Sequence, residues 1–411
     1  MKCEPLLQRL LAKAIHVGHV RIEFPSGKFI EYRANKTHVS PYSSQPPATI
    51  KIHQPAMFLL RLLPDYRMGF CESYLESEWD AKPSVQAVIS VLLANEQHAA
   101  RAHVHWLIRA LFSGVQLLGT GVNYALHLWR SNTLLGSRRN IAEHYDVGNE
   151  FFRLFLDDDM NYSCAYFKSD GDRLAEAQNN KLDAVLDQLH VSHGAKVLEI
   201  GCGWAPLAIR AAETRHLNWT GVTISQEQLD FGRKRVHQKG INDKVDLQLL
   251  DYRQTTGQYD AIASLEMLEH VGHNYLPVFF DVVKQRLKLK GRACLQVMTW
   301  PNATYDEYRR HSDFFKKHLA PGLNLPSISA IAGALPLGLD LQELRSIGAH
   351  YAPTMEKWIE KLEAAHGQVL QLGYSQRFYR LWHFFFCSCV PMFAEHYVDV
   401  TQFVFVKNRE A

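Results

Sequence analysis

The chain has 411 residues, 47% of them hydrophobic and 21% charged, which excludes a disordered or collagen-like protein. Lysine plus arginine number 45 and aspartate plus glutamate 42, a net charge of +3, so no overall basic bias points to nucleic acid. Seven cysteines form an odd set without C-x-x-C spacing, so neither a disulfide framework nor a zinc site is predicted. A reducing compartment is the simplest reading. The histidines show no metal-ligand spacing.

At roughly 150 residues per domain the length predicts about two to three domains. Met1–Ile15 lacks the uninterrupted apolar stretch of a signal peptide. His19–Arg33 reads as two short strands around a Pro-Ser-Gly turn. Ala48–Ile52 reads as a further strand, and Val85–Ala102 as a helix. Residues 1–100 are therefore expected to form a small accessory α+β domain. Arg101–Gly136 reads as an amphipathic connecting helix, and 101–139 as helix plus linker. Its most apolar window, Val104–Trp129, carries Arg109, Gln116, Asn123 and His127, too polar for a membrane span. Arg101, Arg109, Arg130, Arg138 and Arg139 flank it, which suits a helix lying on a membrane surface. An interdomain helix packed on the N-terminal module fits the same pattern. Phe314-Phe315-Lys316-Lys317 is a second candidate for membrane contact.

Residues 140–411 are expected to form the catalytic domain. Lys196–Ile200, Thr220–Ile224, Val245–Asp251, Tyr259–Leu265 and Arg292–Trp300 read as strands alternating with helices. Gln226–Lys239 is such a helix, with Ser225 as its cap. This alternation predicts a mostly parallel sheet wrapped by helices. Ligands bind beyond the carboxyl ends of such strands. Phe403–Val406 is a candidate late strand.

Val197–Ala208 is the sharpest local motif. A strand ends, Gly201 and Gly203 turn, and a helix begins. Glycines allow close backbone approach to a ligand. With Glu199 before it, the turn suits a nucleoside cofactor; a tight turn without ligand is the alternative. Dinucleotide binders use G-x-G-x-x-G, and position 206 is Pro206. S-adenosylmethionine fits the two-glycine turn better. The next strand offers Thr223, Glu227 and Gln228 to a ribose. Tyr162, Tyr166 and Phe167 cluster in YSCAYF, where aromatic rings could steady a cation by about 0.5–2 kcal/mol each. A plain buried aromatic turn is the other reading.

The ordered motifs His144–Phe152, Tyr162–Phe167, Leu198–Trp204, Gly221–Gln228, Asp251–Arg253, Glu266–Gly272, Pro321–Ser327, His350–Trp358 and Asp399–Phe403 resemble the cyclopropane-fatty-acyl-phospholipid synthase family. The resemblance covers roughly residues 140–411, and the first hundred residues resemble the accessory domain of longer members. It implies a Rossmann-like class I methyltransferase sheet with helical insertions. It also implies transfer of a methylene group from S-adenosylmethionine to a cis double bond of a phospholipid acyl chain, giving a cyclopropane. Tyr162, Ser163, Glu199, Gly201, Cys202, Gly203, Thr223, Gln228, Tyr252 and Arg253 would hold the cofactor. A bound bicarbonate ion would be the base, cradled by the backbone of Cys164 and Leu265 and the side chains of Glu269, Tyr351 and Gln296. Glu269 needs a shared proton to sit beside that anion; a solvated helix carboxylate is its other reading.

Gln296 stands where many members have histidine, which places the chain nearer the glutamine-containing branch. That branch includes fatty-acid C-methylating enzymes, so a methyl-branched or methylene product is the alternative. Ala205-Pro206 replaces two small residues; Pro206 can open the following helix, where its missing N–H is not needed. An inactive lipid-binding homologue is the third reading. Cys389 matches a cysteine of the family, and its apolar surroundings favour a structural role. His270 also reads as structural. The resemblance implies a cytoplasmic enzyme on the inner face of the membrane, sometimes a homodimer.

Overall fold

The computed structural model describes residues 15–34, 40, 42, 47–101 and 147–409. The candidate membrane-surface window Val104–Trp129 lies outside them. The described chain forms two compact units.

The first unit holds the N-terminal residues together with 311–318 and 359–396. Its strands are β1 (His19–Glu23), β2 (Phe29–Arg33), β3 (Ala48–Ile52) and β4 (Trp79–Lys82), in the order β2-β1-β3-β4. The β1–β2 hairpin closes through the Pro-Ser-Gly turn, where Gly27 has φ +78°. Trp79 is fully buried, stacks on Phe70 at 4.5 Å and donates its Nε1 to Ser73 Oγ at 2.9 Å. Helix Gln376–Ala394 also packs here: Phe384 lies 5.1 Å from Tyr74, and Arg380 sits 3.8 Å over the Tyr74 ring. Thus 359–396, expected in the catalytic domain, belongs to the first unit. Periodicity reveals that a helix has an apolar face, not which body covers it.

Phe314-Phe315-Lys316-Lys317 is not an exposed contact. Phe314 packs on Phe384 at 5.3 Å, Lys316 is buried, and Lys317 pairs with Glu72 at 2.8 Å.

The second unit is built on seven strands. They are β5 (Lys196–Ile200), β6 (Asn218–Thr223), β7 (Val245–Leu249), β8 (Tyr259–Leu265), β9 (Leu287–Thr299), β10 (Leu339–Ser346) and β11 (Asp399–Lys407). Their order is β10-β11-β9-β8-β5-β6-β7, parallel except that β11 runs antiparallel between β9 and β10. The inner strands β5, β8, β9 and β11 are mostly apolar because both faces are covered, whereas the edge strand β10 is exposed. Leu186, Leu207, Ala211 and Trp219 belong to one core cluster, and Ile262, Phe280, Leu295 and Phe405 to another. Order reverses at β5: the chain steps to β6 and β7 on one side, then returns to β8 on the other. That switch point opens a crevice at the strand ends. Among the described residues no helix is long and apolar enough to cross a membrane.

Candidate active site

The crevice is a cavity at the carboxyl ends of β5, β6 and β8. Gly201 leaves β5 at φ +83° and Gly203 follows at φ +52°. A Cβ on Gly201 would lie 2.6 Å from Met267 Cγ, so glycine is required where the turn meets the segment after β8. At Gly203 nothing lies within 4 Å, leaving its backbone open to the cavity. Ala205 is left-handed at φ 66° and Pro206 occupies the first turn of helix Pro206–Arg215, as the sequence suggests.

All ten residues expected to hold the cofactor line this one cavity: Tyr162, Ser163, Glu199, Gly201, Cys202, Gly203, Thr223, Gln228, Tyr252 and Arg253. Thr223 Oγ1 donates to Gln228 Oε1 at 3.0 Å, so the Gln228 amide nitrogen is the donor left for a ligand. Arg253 is held by Asp251 through contacts of 2.8 and 2.7 Å. Burial pushes Glu199 up to about 8, against the Trp219 Nε1 hydrogen bond at 2.8 Å and the Lys181 charge.

Lys181 also lines the cavity, and sequence reasoning missed it. It is 1% exposed, donating to Ser163 Oγ at 2.8 Å and Asn161 Oδ1 at 3.3 Å. Because Ser163 Oγ accepts that bond, its own hydrogen can be turned toward a ligand. Gln178 Nε2 donates to Ser163 O at 2.9 Å, so helix Leu174–Gln188 fixes the YSCAYF loop at both atoms. These groups suit the charged amino-acid end of S-adenosylmethionine, while Leu250, Val271 and Tyr252 suit its apolar adenine.

The expected aromatic cluster divides. Tyr162 lines the cavity, packed on Phe152 at 5.4 Å and Trp358 at 5.4 Å. Tyr166 instead lies 4.6 Å from the His350 ring, with Arg345 over its face. Cys389 is a buried residue of the first unit, its thiol pushed up by burial and so protonated.

The largest departure concerns the cradle. Cys164 N–H, Gln296 Nε2 and Tyr351 O–H do converge on one point, each at 2.8 Å from a carboxylate oxygen. The carboxylate is Glu266. It was not among the residues singled out from the sequence. Glu266 is the first residue beyond β8 and stands at φ 49°, a left-handed strain of order 1–3 kcal/mol for a non-glycine residue. The motif EMLEH offers two carboxylates three residues apart, and a sequence cannot tell which one turns inward. Position just past a central strand end was the available signal.

Glu269 is also fully buried, yet only Met298 N–H donates to its Oε1, and Oε2 has no hydrogen-bond partner among the described residues. Burial, then the neighbouring Glu266, raises it to about 8. Burial raises Glu266 as well, opposed by its three donors and by Lys181. Two nearby carboxyls cannot both ionise cheaply. Three donors against one place the charge on Glu266 and the proton on Glu269.

A stability test follows from this. Folded Glu269 keeps a proton that the unfolded chain releases above about 4.5. Its contribution is full below that pH and is lost as pH rises to about 8. Glu269→Gln, which keeps an acceptor for Met298 N–H, is expected to flatten this loss in denaturant titrations on either side of the window.

Comparison with known proteins agrees with this architecture. The mycolic acid cyclopropane synthetase family matches residues 134–403. The chain is 33% identical over 368 residues to the tuberculostearic acid methyltransferase UfaA1 of Mycobacterium tuberculosis, spanning 87% of this chain and 83% of that one. It is 31% identical over 364 residues to the cyclopropane-fatty-acyl-phospholipid synthase of Escherichia coli, spanning 89% of each. The mycolic acid cyclopropane synthase CmaA1, solved with SAH and CTAB, superposes with a TM-score of 0.62 at 31% identity, over 66% of this chain and 98% of that one. The fold is thus the class I Rossmann-like S-adenosylmethionine-dependent methyltransferase fold, with helical insertions and a small N-terminal α+β subdomain. The chain belongs to the mycolic acid cyclopropane synthetase family and is an S-adenosylmethionine-dependent methyltransferase.

Proposed function

We propose that the enzyme alkylates a cis double bond in an unsaturated phospholipid acyl chain, reached at the cytoplasmic face of the membrane, with Glu266 as the base. The observation that carries this is the buried carboxylate held by Cys164, Gln296 and Tyr351 beside the cofactor cavity. S-adenosylmethionine supplies a methyl group activated on a sulfonium. The chain must then tolerate a cation on the acyl chain and remove one proton. Tyr162 presents an aromatic ring to the cavity and Glu266 a negative charge, both of which favour a cation.

One carbon joins the alkene, and one proton passes to a Glu266 oxygen. If it leaves the added methyl group, its C–H electron pair closes a cyclopropane. If a hydride first shifts to the cation, the charge moves to the methyl-bearing carbon, and loss of a methyl proton then leaves its C–H electron pair as the double bond of a methylene branch. The cyclopropane is the main reading. The second product is favoured by Gln296, which holds the base through a neutral amide rather than an ionisable ring.

Three of the five groups assigned from the sequence to bicarbonate, Cys164 N–H, Gln296 and Tyr351, are the donors on Glu266. We therefore assign the base to the protein's own carboxylate. Activity is expected to persist in bicarbonate-depleted buffer; strict dependence on added bicarbonate would restore the external base. Vesicles of unsaturated phospholipid with labelled cofactor, followed by position-resolved mass spectrometry, test the reaction and separate ring from branch. No label transfer by folded, cofactor-binding protein would leave the silent lipid-binding reading.

A pH test accompanies it. The base acts when deprotonated, and burial raises Glu266 above an ordinary glutamate. Activity is expected to rise with pH along an acid limb displaced upward from 4.5, read from kcat/KM.

A further inference from the structure

Three glutamine side chains run from Glu266 toward the surface. Gln296 Nε2 donates to Glu266 Oε1 at 2.8 Å and to Cys164 O at 3.2 Å. Gln402 Nε2 donates to Gln296 Oε1 at 3.0 Å, and Gln188 Nε2 to Gln402 Oε1 at 3.2 Å. Cys294 Sγ donates to Gln188 Oε1 at 2.9 Å. The register explains the alignment. Gln402 of β11 stands directly opposite Gln296 of β9, which in turn pairs with Leu265 of β8, the residue before Glu266. Gln188 ends helix Leu174–Gln188 and, with Gln402, lines an outer cleft.

An amide is nearly symmetric in shape, so its partners decide which end is oxygen. Gln296 is 0% and Gln402 2% exposed, where an unpaired polar end is costly. A turned Gln296 would aim its carbonyl at a carboxylate and at another carbonyl. The Cys294 thiol has a proton to give the Gln188 oxygen, and its sulfur would be only a weak acceptor for a turned amide. Cys294 is fully buried, and burial pushes its thiol up to about 12, so it keeps the proton it donates.

We propose that Gln402 and Gln188 are positioning residues for the base: a one-way amide string, its direction set by the Cys294 thiol, holds the N–H groups of Gln296 on Glu266. This rests on the reading of Glu266 as base. The string touches neither substrate nor cofactor. It acts by keeping Glu266 an acceptor at lower pH than burial alone allows. The other titratable groups facing Glu266 are Lys181, Cys164, Glu269 and Tyr351, and Arg292 and Glu343 face Cys294. None lies within the string between Gln188 and Gln296.

The experiment is the pH profile of kcat/KM for Gln402→Leu, with cofactor affinity measured by calorimetry. Its acid limb is expected to move upward by about one pH unit, as for loss of one donor among three, with affinity unchanged. Gln188→Met, at the half-buried helix end, is expected to move it in the same direction by less, and serves should Gln402→Leu not fold. Cys294→Ser keeps a donor and is expected to leave the limb in place. A merely structural role would lower activity at every pH without moving the limb. Glu266→Gln separates the failures. If that variant is inactive but the limb stays put in both glutamine variants, the string is wrong and the base stands. If it turns over normally, base and string fall together.

Discussion

Glu266→Gln is expected to lower turnover by about 10²–10⁴-fold, the range that a positioned base supplies. The amide keeps the shape and can still accept from Cys164 N–H or Tyr351 O–H, so the fold should persist. It cannot take a proton. Cofactor affinity should stay near that of the parent, because the ten cavity residues proposed to hold the cofactor are untouched. Tyr351→Phe alone removes one of three donors, and adding it to Glu266→Gln should cost little more, since groups acting as a unit are not additive. Labelled-methyl transfer under single-turnover conditions is the measurement. Full activity in Glu266→Gln would return the base to Glu269 or to an external anion.

The second large effect is on stability. Trp358 is fully buried and touches Phe155 at 6.1 Å, Tyr162 at 5.4 Å and Tyr351 at 5.9 Å. It therefore backs both a cavity-lining ring, Tyr162, and a donor to Glu266, Tyr351. Trp358→Ala is expected to cost about 3–5 kcal/mol, a fall in Tm of roughly 6–20 °C for a unit of this size. Trp358→Phe should recover most of it. Thermal unfolding followed by calorimetry reads the effect, and a loss below about 1 kcal/mol would show that the site collapses around the gap.

Much of the parallel sheet was legible in the sequence because its strands are continuous apolar runs. β5 and β8 fall at the predicted bounds, and β6 and β7 within two residues. β10 was not legible: seven of its eight residues are exposed, so no apolar pattern marks it. β4 is four residues long, with only Trp79 buried. The shared cavity of the ten residues was legible because a glycine turn fixes backbone, and backbone fixes neighbours. The base was not. Glu266 and Glu269 differ by the direction of a side chain leaving a left-handed residue, and direction there comes from donors 30 to 102 residues away in sequence. Gln188 and Gln402 were invisible for the same reason, being 214 residues apart.

The division of the chain has a consequence for anyone wishing to trim this protein. The polypeptide changes unit after residues 310, 318, 358 and 396. A single cut near residue 140 therefore does not yield a self-sufficient catalytic half. It would strip helix Gln376–Ala394 of the helices Tyr66–Leu75 and Val85–Arg101 that cover it, baring Phe384, which packs on Tyr74 and is almost wholly buried in the intact chain. Such a fragment should aggregate through that face. The accessory unit is in this sense stitched into the enzyme, and gene fusions or tags are better placed at the ends than at the apparent seam.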